Sequence, residues 1–414
     1  MMDREVILFT KKFPFDKGEE FIENEIKILN ERFSRIVIIA TALSKTSVIT
    51  RKVQENVSIY KINDIQNNII RYVLYIICGF FYLTDSVVRN EIIHTKGLKA
   101  KIGVLYMSAR CFRLVRKINK SKLIKKDIDC DNCIYYSYWF NDLPFVCINL
   151  KNKLHKKNIK IISRAHGYDL YDYRNITNVI PFRKYVLENI DHVFTCSDDG
   201  CQYLKERYPM YDQKISYSYL GTIDNGLGNT EIHDSYNIVT CSAIIKLKRL
   251  NLLVEALIEL EKNLENEKII WYCIGDGPLL DEIKEQSSKL RKIKIIFKGH
   301  INNKDVISFY KNNPVDLFIN VSETEGLPVS IMEAISFGIP VLATDVGGTR
   351  EIVKNELTGK LIPSTVSIQE LKLHIHNMLK HKYDRVKIRR YWNEHFNSVK
   401  NYNDFVNSII SYYK

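Results

Sequence analysis

The sequence lacks an apolar run long enough to cross a lipid bilayer. Its longest such run, from Tyr72 to Leu83, has 12 residues, whereas a membrane-spanning helix needs about 20. The run predicts a buried helix, with an interfacial helix on a membrane surface as the alternative. The first residues lead directly into the strand-like run Val6–Thr10 and lack the basic start, apolar core and cleavage site of a secretory signal. We therefore expect a cytoplasmic protein.

The nine cysteines have neither the spacing of a disulfide framework nor that of a zinc site. Cys130 and Cys133 form one CxxC pair, but no second pair and no nearby histidine completes a metal site. We expect reduced thiols, most of them buried. Because no Asp-x-Asp motif stands in a loop suited to metal binding, the sequence predicts no bound metal.

Positive charge exceeds negative charge, with a formal net charge of +13. The segment 96–126 contains eleven Lys or Arg residues and no Asp or Glu. One interpretation is a solvated basic surface. The other is docking on an anionic membrane, where each nearby cation adds about 1 kcal/mol. The basic runs lack the interleaved aromatic residues of a nucleic-acid-binding fold, so we expect no nucleic-acid partner.

Short apolar runs alternate with amphipathic stretches in two successive series, a pattern typical of βα units around a parallel sheet. Between the series, the Gly- and Asn-rich segment 221–236 indicates a linker. A chain of 414 residues also exceeds what one core usually supports. We predict two doubly wound, Rossmann-like α/β domains, over residues 1–221 and 237–390. Ligands of such sheets bind at the carboxyl ends of the strands, so the expected site is a cleft that both domains face. Strands are predicted over 6–10, 35–40, 134–138, 160–164 and 192–196 in the first series, and over 237–241, 269–274, 293–297, 317–320 and 340–344 in the second.

The most informative motif is the segment 322–334, which follows a predicted strand. Pro328 suits the first turn of a helix, which places Glu325 in the preceding loop and Glu333 inside the helix. The N–H groups at the start of this helix would attract an anion such as a diphosphate. A carboxylate beside them suits sugar or ribose hydroxyls, which donate hydrogen bonds to it. As the alternative, Glu325 is an ordinary loop acid and Glu333 an exposed helical one.

The block 322–359 resembles the donor-binding signature of glycosyltransferase family 4. That family contains retaining enzymes with two Rossmann-like domains, the GT-B architecture. Its hallmark is two glutamates with seven residues between them, which Glu325 and Glu333 match. The resemblance covers nearly the whole chain, and the segment 391–414 resembles the helix that crosses back onto the first domain in that family.

The resemblance implies roles for the residues of this block. Glu325 would contact the donor sugar and Glu333 the ribose, while backbone amides around Gly326 lie against the sugar and the diphosphate. The donor-binding residues implied for this block are Gly326, Leu327, Pro328, Val329 and Glu333, with Glu325 assigned to catalysis.

A second block, Cys241–Arg249, opens the second domain directly after a strand. A cation here can neutralise the diphosphate as the sugar leaves, where charge develops in the transition state. The family places an Arg shortly after this strand and a Lys five residues later. Lys248 matches the Lys, whereas Ala243 stands at the Arg position. Either Lys248 and Arg249 hold the phosphates together, or activity is reduced.

Three further positions are candidates. His166 follows the predicted strand 160–164; a lone histidine is usually structural, but the resemblance implies that His166 reaches the donor sugar or its phosphate. Gly18 belongs to a loop before the first helix and could face the diphosphate, although a plain strand-to-helix turn remains the alternative. Gly299 and His300 end another strand, where the family holds the base through main-chain atoms.

Taken with the resemblance, these residues imply a retaining hexosyltransferase. Its donor would be a nucleotide sugar, with a UDP-sugar as the first choice, and its acceptor a saccharide or lipid-linked saccharide in surface-polysaccharide biosynthesis. No metal or other cofactor is implied, and the protein would lie in the cytoplasm or peripherally on the inner face of the plasma membrane. Two alternatives stay open: a non-catalytic sugar-nucleotide-binding partner subunit, which Ala243 favours, and a nucleotide-sugar 2-epimerase of the same architecture.

Overall fold

The apolar runs of the sequence form the strands of two parallel sheets in a computed structural model that describes residues 2–411. The chain divides into two units. The first consists of the residues up to Ser218 together with those from Tyr402 onward, and the second is Tyr219–Asn401. The linker segment 221–236 therefore belongs to the second unit.

The first unit contains a seven-stranded parallel sheet. Its strands are β1 (Met2–Thr10), β2 (Phe33–Leu43), β3 (Val57–Asn63), β4 (Cys133–Ser137), β5 (Lys160–Ala165), β6 (His192–Thr195) and β7 (Ile215–Tyr217). The spatial order is β3-β2-β1-β4-β5-β6-β7. The direction in which successive strands are added reverses between β1 and β4, which makes this pair the switch point where doubly wound sheets bind ligands.

The second unit contains a six-stranded parallel sheet. Its strands are β8 (Ser235–Cys241), β9 (Lys268–Ile274), β10 (Lys294–Gly299), β11 (Leu317–Asn320), β12 (Val341–Thr344) and β13 (Gly359–Ile362). In the order β10-β9-β8-β11-β12-β13, the switch point lies between β8 and β11. Both sheets have the Rossmann-like strand order, which confirms the predicted fold class.

Helices connect the strands of both units. Those of the first unit are α1 (Ile22–Arg32), α2 (Asn68–Phe81), α3 (Ser86–His94), α4 (Leu98–Lys120), α5 (Lys122–Ile128), α6 (Leu143–Leu154), α7 (Arg183–Asn189) and α8 (Asp198–Arg207). The helices that follow are α9 (Leu250–Glu261), α10 (Leu280–Ser287), α11 (Asn303–Asn312), α12 (Val329–Ser336), α13 (Thr349–Ile352), α14 (Ile368–Lys380), α15 (Arg385–His395) and α16 (Ser398–Ser411).

Every strand predicted from the sequence is present: the strand 317–320 has the predicted bounds, and the ends of the others differ by up to four residues. The prediction missed β3, β7 and β13. Each of these three strands lies at an edge of its sheet.

The prediction of one helix over 391–414 is wrong within the described residues. Two helices, α15 and α16, are separated at Phe396 and Asn397. The Asn397 side chain accepts a hydrogen bond from the Val399 N–H at 3.0 Å, which satisfies a backbone donor at the start of α16. The residues of α16 before Tyr402 belong to the second unit and the later ones to the first.

The expectation of reduced thiols is wrong for the CxxC pair. Cys130 and Cys133 form a disulfide, because the turn between α5 and β4 brings their Cα atoms to 5.8 Å, within disulfide reach. The other seven cysteines are free, and five of them are buried.

The prediction of a buried helix over 72–83 is also wrong. This run lies in α2 and the 3-10 turn Tyr82–Thr84, and Tyr75 and Gly79 are the buried residues of α2. Within residues 2–411, no single helix has the length and apolar composition needed to cross a membrane. The segments Asn68–Thr84 and α3 pass that test together, but they are bent by 110°.

Candidate functional site

The switch point of the second unit brings the two best sequence motifs together. β8 and β11 are parallel neighbours, so the segments that follow them, 242–249 and 321–328, leave the same edge of the sheet. A backbone hydrogen bond of 2.8 Å from the Glu323 N–H to the Leu247 carbonyl joins them. The strand pairing thus places two segments that are about 77 residues apart in sequence side by side.

The buried Glu325 forms an ion pair with the half-buried Lys248 in these loops. The Lys248 Nζ lies 2.5 Å from the Glu325 Oε1, which also accepts from the Ser322 Oγ at 2.7 Å and the Asn320 Nδ2 at 3.1 Å. Burial by itself would raise the pKa of the Glu325 carboxyl, but the Lys248 ammonium and the two neutral donors hold that pKa below its ordinary value. Glu325 is therefore an anion at neutral pH. Its contacts with Lys248, Ser322 and Asn320 distinguish it from an ordinary loop carboxylate.

Glu333 has a different environment in α12. Its side chain is buried, and its Oε1 accepts a hydrogen bond of 2.6 Å from the Asn303 Nδ2 at the start of α11. Burial raises the pKa of the Glu333 carboxyl to about 7, and the Asn303 bond acts in the opposite direction. The alternative of an exposed helical glutamate is thus wrong. The contact with Asn303 could not be predicted, since nothing in the sequence links these two residues.

The Gly347-Gly348 turn after β12 supports the loop that carries Glu325. Gly347 has φ +51°, and a Cβ at this position would lie 2.1 Å from the Glu325 carbonyl oxygen. The Gly348 N–H donates to the Gly326 carbonyl at 2.8 Å. A side chain at position 347 would displace the Glu325 backbone. The close approach of these two loops therefore requires glycine at position 347.

The Arg249 guanidinium is engaged with main-chain carbonyl groups. Its Nε donates to Val321 at 2.7 Å and its Nη1 to Ser364 at 2.7 Å. These bonds fix the loop after β11, and a phosphate would have to compete with them for Arg249. Ala243, at the position where an Arg was expected, is exposed. Phosphate binding by Arg249 therefore stays a prediction.

The remaining donor-side candidates lie at the ends of two elements. Pro328 is the N-cap of α12 and Val329 its first residue, directly after Gly326 and Leu327, and the first N–H groups of a helix lack intrahelical partners. Gly299 ends β10 and His300 is exposed. β10 lies two strands away from β8, but α11 begins only four residues after Gly299 and brings Asn303 to Glu333.

In the first unit, His166 lies in an aromatic enclosure after β5. Its imidazole is 4.6 Å from the Trp139 ring and 5.0 Å from the Tyr138 ring, measured between centroids. Among the residues that the structure describes, neither ring nitrogen has a hydrogen-bond partner. The Nδ1 lies 3.6 Å from the Asp169 carboxylate. Burial disfavours the imidazolium, but the neighbouring Cys196 and the Asp169 carboxylate outweigh it and raise the pKa of His166.

The loop after β1 carries a cation that the sequence analysis missed. The Lys11 ammonium lies 4.6 Å from the Tyr168 ring centroid and 5.4 Å from that of Trp139. Burial lowers the pKa of Lys11. The Glu19 carboxylate fixes this loop by accepting the Lys12 and Phe13 N–H groups at 2.6 Å each. The position of Lys11 at the carboxyl end of a strand was the signal that could have identified it.

The Gly18 backbone N–H in the same loop donates to the Glu20 side chain at 2.6 Å. Gly18 has φ +104°, with no atom within 4 Å of the position of a Cβ. Its conformation therefore favours glycine, whereas the assignment to a diphosphate stays a prediction.

No group of three or more His, Cys, Asp or Glu side chains within residues 2–411 could hold a metal ion.

Comparison with known proteins identifies the second unit. The family model of glycosyl transferases group 1 matches residues 228–395, which include the Lys248–Glu325 pair and Glu333. The chain is 26% identical over 217 residues to the Streptococcus pneumoniae UDP-N-acetylglucosamine–peptide N-acetylglucosaminyltransferase GtfA subunit, a match that covers 51% of this chain and 41% of that one. It is 37% identical over 94 residues to the Escherichia coli O-antigen biosynthesis glycosyltransferase WbnH, covering 23% and 25%. These matches thus span less than half the length of either relative.

The fold also matches a solved structure along its full length. The structure of Anabaena HepE in complex with UDP and glucose aligns with a TM-score of 0.64 at 14% identity, covering 98% of this chain and 99% of that one. The two Rossmann-like parallel α/β units and this full-length match define a protein of GT-B architecture. Residues 228–395, which are most of the second unit, match the family model of glycosyl transferases group 1.

Proposed function

We propose that the protein transfers a sugar from a nucleotide-sugar donor to a saccharide acceptor, with retention of the anomeric configuration. The observation that carries the proposal is the Lys248–Glu325 ion pair at the switch point of the second unit, accompanied by the second buried carboxylate, Glu333. An ammonium, two carboxylates and a helix start together offer partners for phosphate, sugar and ribose.

We assign the donor to the second unit. Glu333 accepts hydrogen bonds from the ribose hydroxyls, and Glu325 from hydroxyls of the sugar, while the Lys248 ammonium contacts the diphosphate. Backbone groups are offered by Gly326, Leu327, Pro328 and Val329. The base is held by Gly299 and His300. A UDP-sugar is the favoured donor, since the GtfA relative is named for UDP-N-acetylglucosamine and the HepE structure holds UDP.

The proposed reaction breaks the bond between the anomeric carbon and the leaving phosphate oxygen. The acceptor hydroxyl forms the new bond on the same face, and its proton passes to the leaving phosphate. Negative charge grows on the diphosphate, where Lys248 stabilises it without a metal ion. His166 is the proposed catalytic residue of the first unit. Its raised pKa favours the protonated imidazole, which would contact the donor sugar or its phosphate.

The proposed acceptor is a saccharide or lipid-linked saccharide of a surface polysaccharide, used in the cytoplasm or at the inner face of the plasma membrane. The WbnH relative, which is named for O-antigen biosynthesis, supports this class. Ala243, at the position where an Arg was expected, favours a second candidate, a sugar-nucleotide-binding subunit that lacks its own turnover. No observation favours an epimerase.

The test is calorimetric titration of UDP, GDP and ADP in the presence of EDTA. One nucleotide, expected to be UDP, should bind, and Glu333→Ala should weaken it about 10- to 100-fold, since two charge-assisted hydrogen bonds are lost. Glu285→Ala, which removes an exposed carboxylate of α10, serves as the matched control and should bind like the wild type.

Failure of all three nucleotides to bind would contradict the proposed donor site, and binding that requires a divalent metal would contradict the metal-free assignment. Binding without nucleotide release in the presence of any saccharide acceptor would favour the non-catalytic subunit.

A further inference from the structure

Helix α2 of the first unit exposes one continuous apolar face. The side chains of Ile69 and Phe81 are 76% and 75% exposed, and four of the six exposed large apolar side chains between them lie on the same side of the helix. At 100° per residue, these four together with Ile69 and Phe81 fall within an arc of about 120°. We call this surface the α2 face; it consists of Ile69, Ile70, Val73, Ile77, Phe80 and Phe81. Contiguous exposed apolar surface of this kind marks an interaction site.

The opposite side of α2 is packed firmly against α4. Tyr75 and Gly79 are buried there, and a Cβ on Gly79 would lie 2.4 Å from the Leu105 carbonyl oxygen. The Tyr75 hydroxyl donates to the Asp64 carboxylate, which also pairs with Arg113 at 2.8 Å. Since these contacts determine which side of the helix faces inward, the α2 face is a fixed feature of the fold.

The neighbouring helices add exposed positive charge. Between residues 96 and 126 there is no acidic residue, and α3, α4 and α5 carry further exposed apolar side chains at Ile93, Leu98 and Leu123. The exposed lysines of this segment are Lys96, Lys99, Lys120, Lys122, Lys125 and Lys126. An apolar helix face followed in the chain by a segment of exposed basic and apolar side chains complements an anionic lipid surface, which supplies acyl chains and negative head groups together.

We propose that the α2 face and the exposed lysines of 96–126 dock the first unit on an anionic lipid bilayer, with α2 lying in the plane of the interface. A spanning arrangement does not fit α2. Its 14 residues extend about 21 Å, less than the roughly 30 Å of a hydrocarbon core, and the chain then turns by 110° into α3.

This inference deepens the proposed function, because a lipid-linked acceptor would be presented at the same surface. It can nevertheless be tested without any sugar transfer. The assay is co-sedimentation of the full-length protein with phosphatidylcholine vesicles, with and without about 30% phosphatidylglycerol.

The wild type should partition into the anionic vesicles and much less into the neutral ones, and salt should weaken this binding. The variant Ile77→Ser/Phe80→Ser/Phe81→Ser should bind at least about tenfold less. The variant Lys96→Gln/Lys99→Gln/Lys122→Gln should lose up to about a hundredfold, since each lysine contributes about fivefold.

Matched controls change the same residue types elsewhere. Ile176→Ser and Ile232→Ser remove two fully exposed isoleucines, and Lys284→Gln/Lys289→Gln/Lys382→Gln removes three exposed lysines of the second unit. These variants should bind vesicles like the wild type. The melting temperature and UDP affinity of every variant show whether it is folded.

Equal partition into neutral and anionic vesicles, absence of partition, or an equal loss in the controls would overturn the proposal. It would also be overturned if light scattering showed a dimer that the apolar variant converts to a monomer while vesicle binding persists, since the α2 face would then join two copies of this chain. Vesicle binding without UDP binding would leave this inference standing and count against the proposed function alone.

Discussion

The ionisation of Glu333 should make donor binding depend on pH. Burial raises the pKa of this carboxyl to about 7, whereas the proposed ribose hydroxyls donate to the ionised form. The ionised fraction falls about tenfold between pH 8 and pH 6 for a group with this pKa. The affinity for the nucleotide should therefore also fall about tenfold over this interval.

The assay is calorimetric titration of UDP-glucose at pH 6, 7 and 8. Its diphosphate is esterified at both ends, so the ligand carries no terminal phosphate that titrates near pH 6. At pH 7 the binding should release about half a proton, which appears as a dependence of the measured enthalpy on the ionisation enthalpy of the buffer.

Glu333→Gln is the matched variant, because the amide has nearly the same shape and cannot ionise. It should bind more weakly than the wild type at pH 8 and show less than about a twofold change between pH 6 and pH 8. A wild-type affinity that is the same at both pH values would refute the reasoning, as would a tenfold change that persists in Glu333→Gln.

The same shift predicts a stability change in the free protein. The folded-state pKa of about 7 lies above the ordinary value of 4.5, so the protonated carboxyl favours the native state. That contribution is fully present below about pH 4.5 and is lost as the pH rises through 7, a total of about 3 kcal/mol. Chemical denaturation should accordingly show Glu333→Gln gaining stability relative to the wild type over this range and keeping a constant advantage above it. An advantage that is the same at pH 5 and pH 8 would contradict the shift.

Three further perturbations have defined outcomes. Lys248→Met should lower the free energy of unfolding by about 2–3 kcal/mol in chemical denaturation, because it leaves the buried Glu325 carboxylate without its cation; adding Glu325→Gln should restore most of the loss, and no restoration would argue against the pairing. His166→Ala should reduce turnover about a hundredfold or more while UDP affinity stays within about twofold, and unchanged turnover would count against its catalytic assignment. Gly79→Ala should lower the free energy of unfolding by about 1–3 kcal/mol, since the methyl group would overlap the backbone of α4; Gly103→Ala in α4, where the space is open, should instead stabilise the protein by about 0.5–1 kcal/mol, and equal effects would contradict the packing argument.

The strands that the sequence predicted differ in burial from those it missed. Central strands such as β4 are fully buried, and a strand covered on both faces requires a continuous apolar run. At the sheet edges this requirement is weaker. β3 is mostly half-buried, and β7 has only three residues, so neither has a pattern that separates it from a loop.

Only tertiary packing shows the environment of three features that the composition left open. The amino-acid sequence of the run 72–83 does not show whether another element packs against it. The packing of α2 on α4 through Gly79 leaves the apolar side of α2 exposed. Cys130 and Cys133 became a disulfide because a turn brought them within reach. Arg249 is still predicted at the phosphates, and only the structure shows that its guanidinium also donates to the Val321 and Ser364 carbonyl groups.

By itself, the sequence determined the two series of βα units, the strand-end loops and the glutamates of the donor motif, because periodicity and local spacing depend only on neighbouring residues. The tertiary structure alone decided that Lys248 pairs with Glu325 and that Asn303 reaches Glu333. These partners are distant in the chain and meet only when strand order and helix packing bring their loops together. Their different surroundings give the two carboxyls pKa values shifted in opposite directions, since burial without a cation favours the neutral form and burial beside one favours the anion.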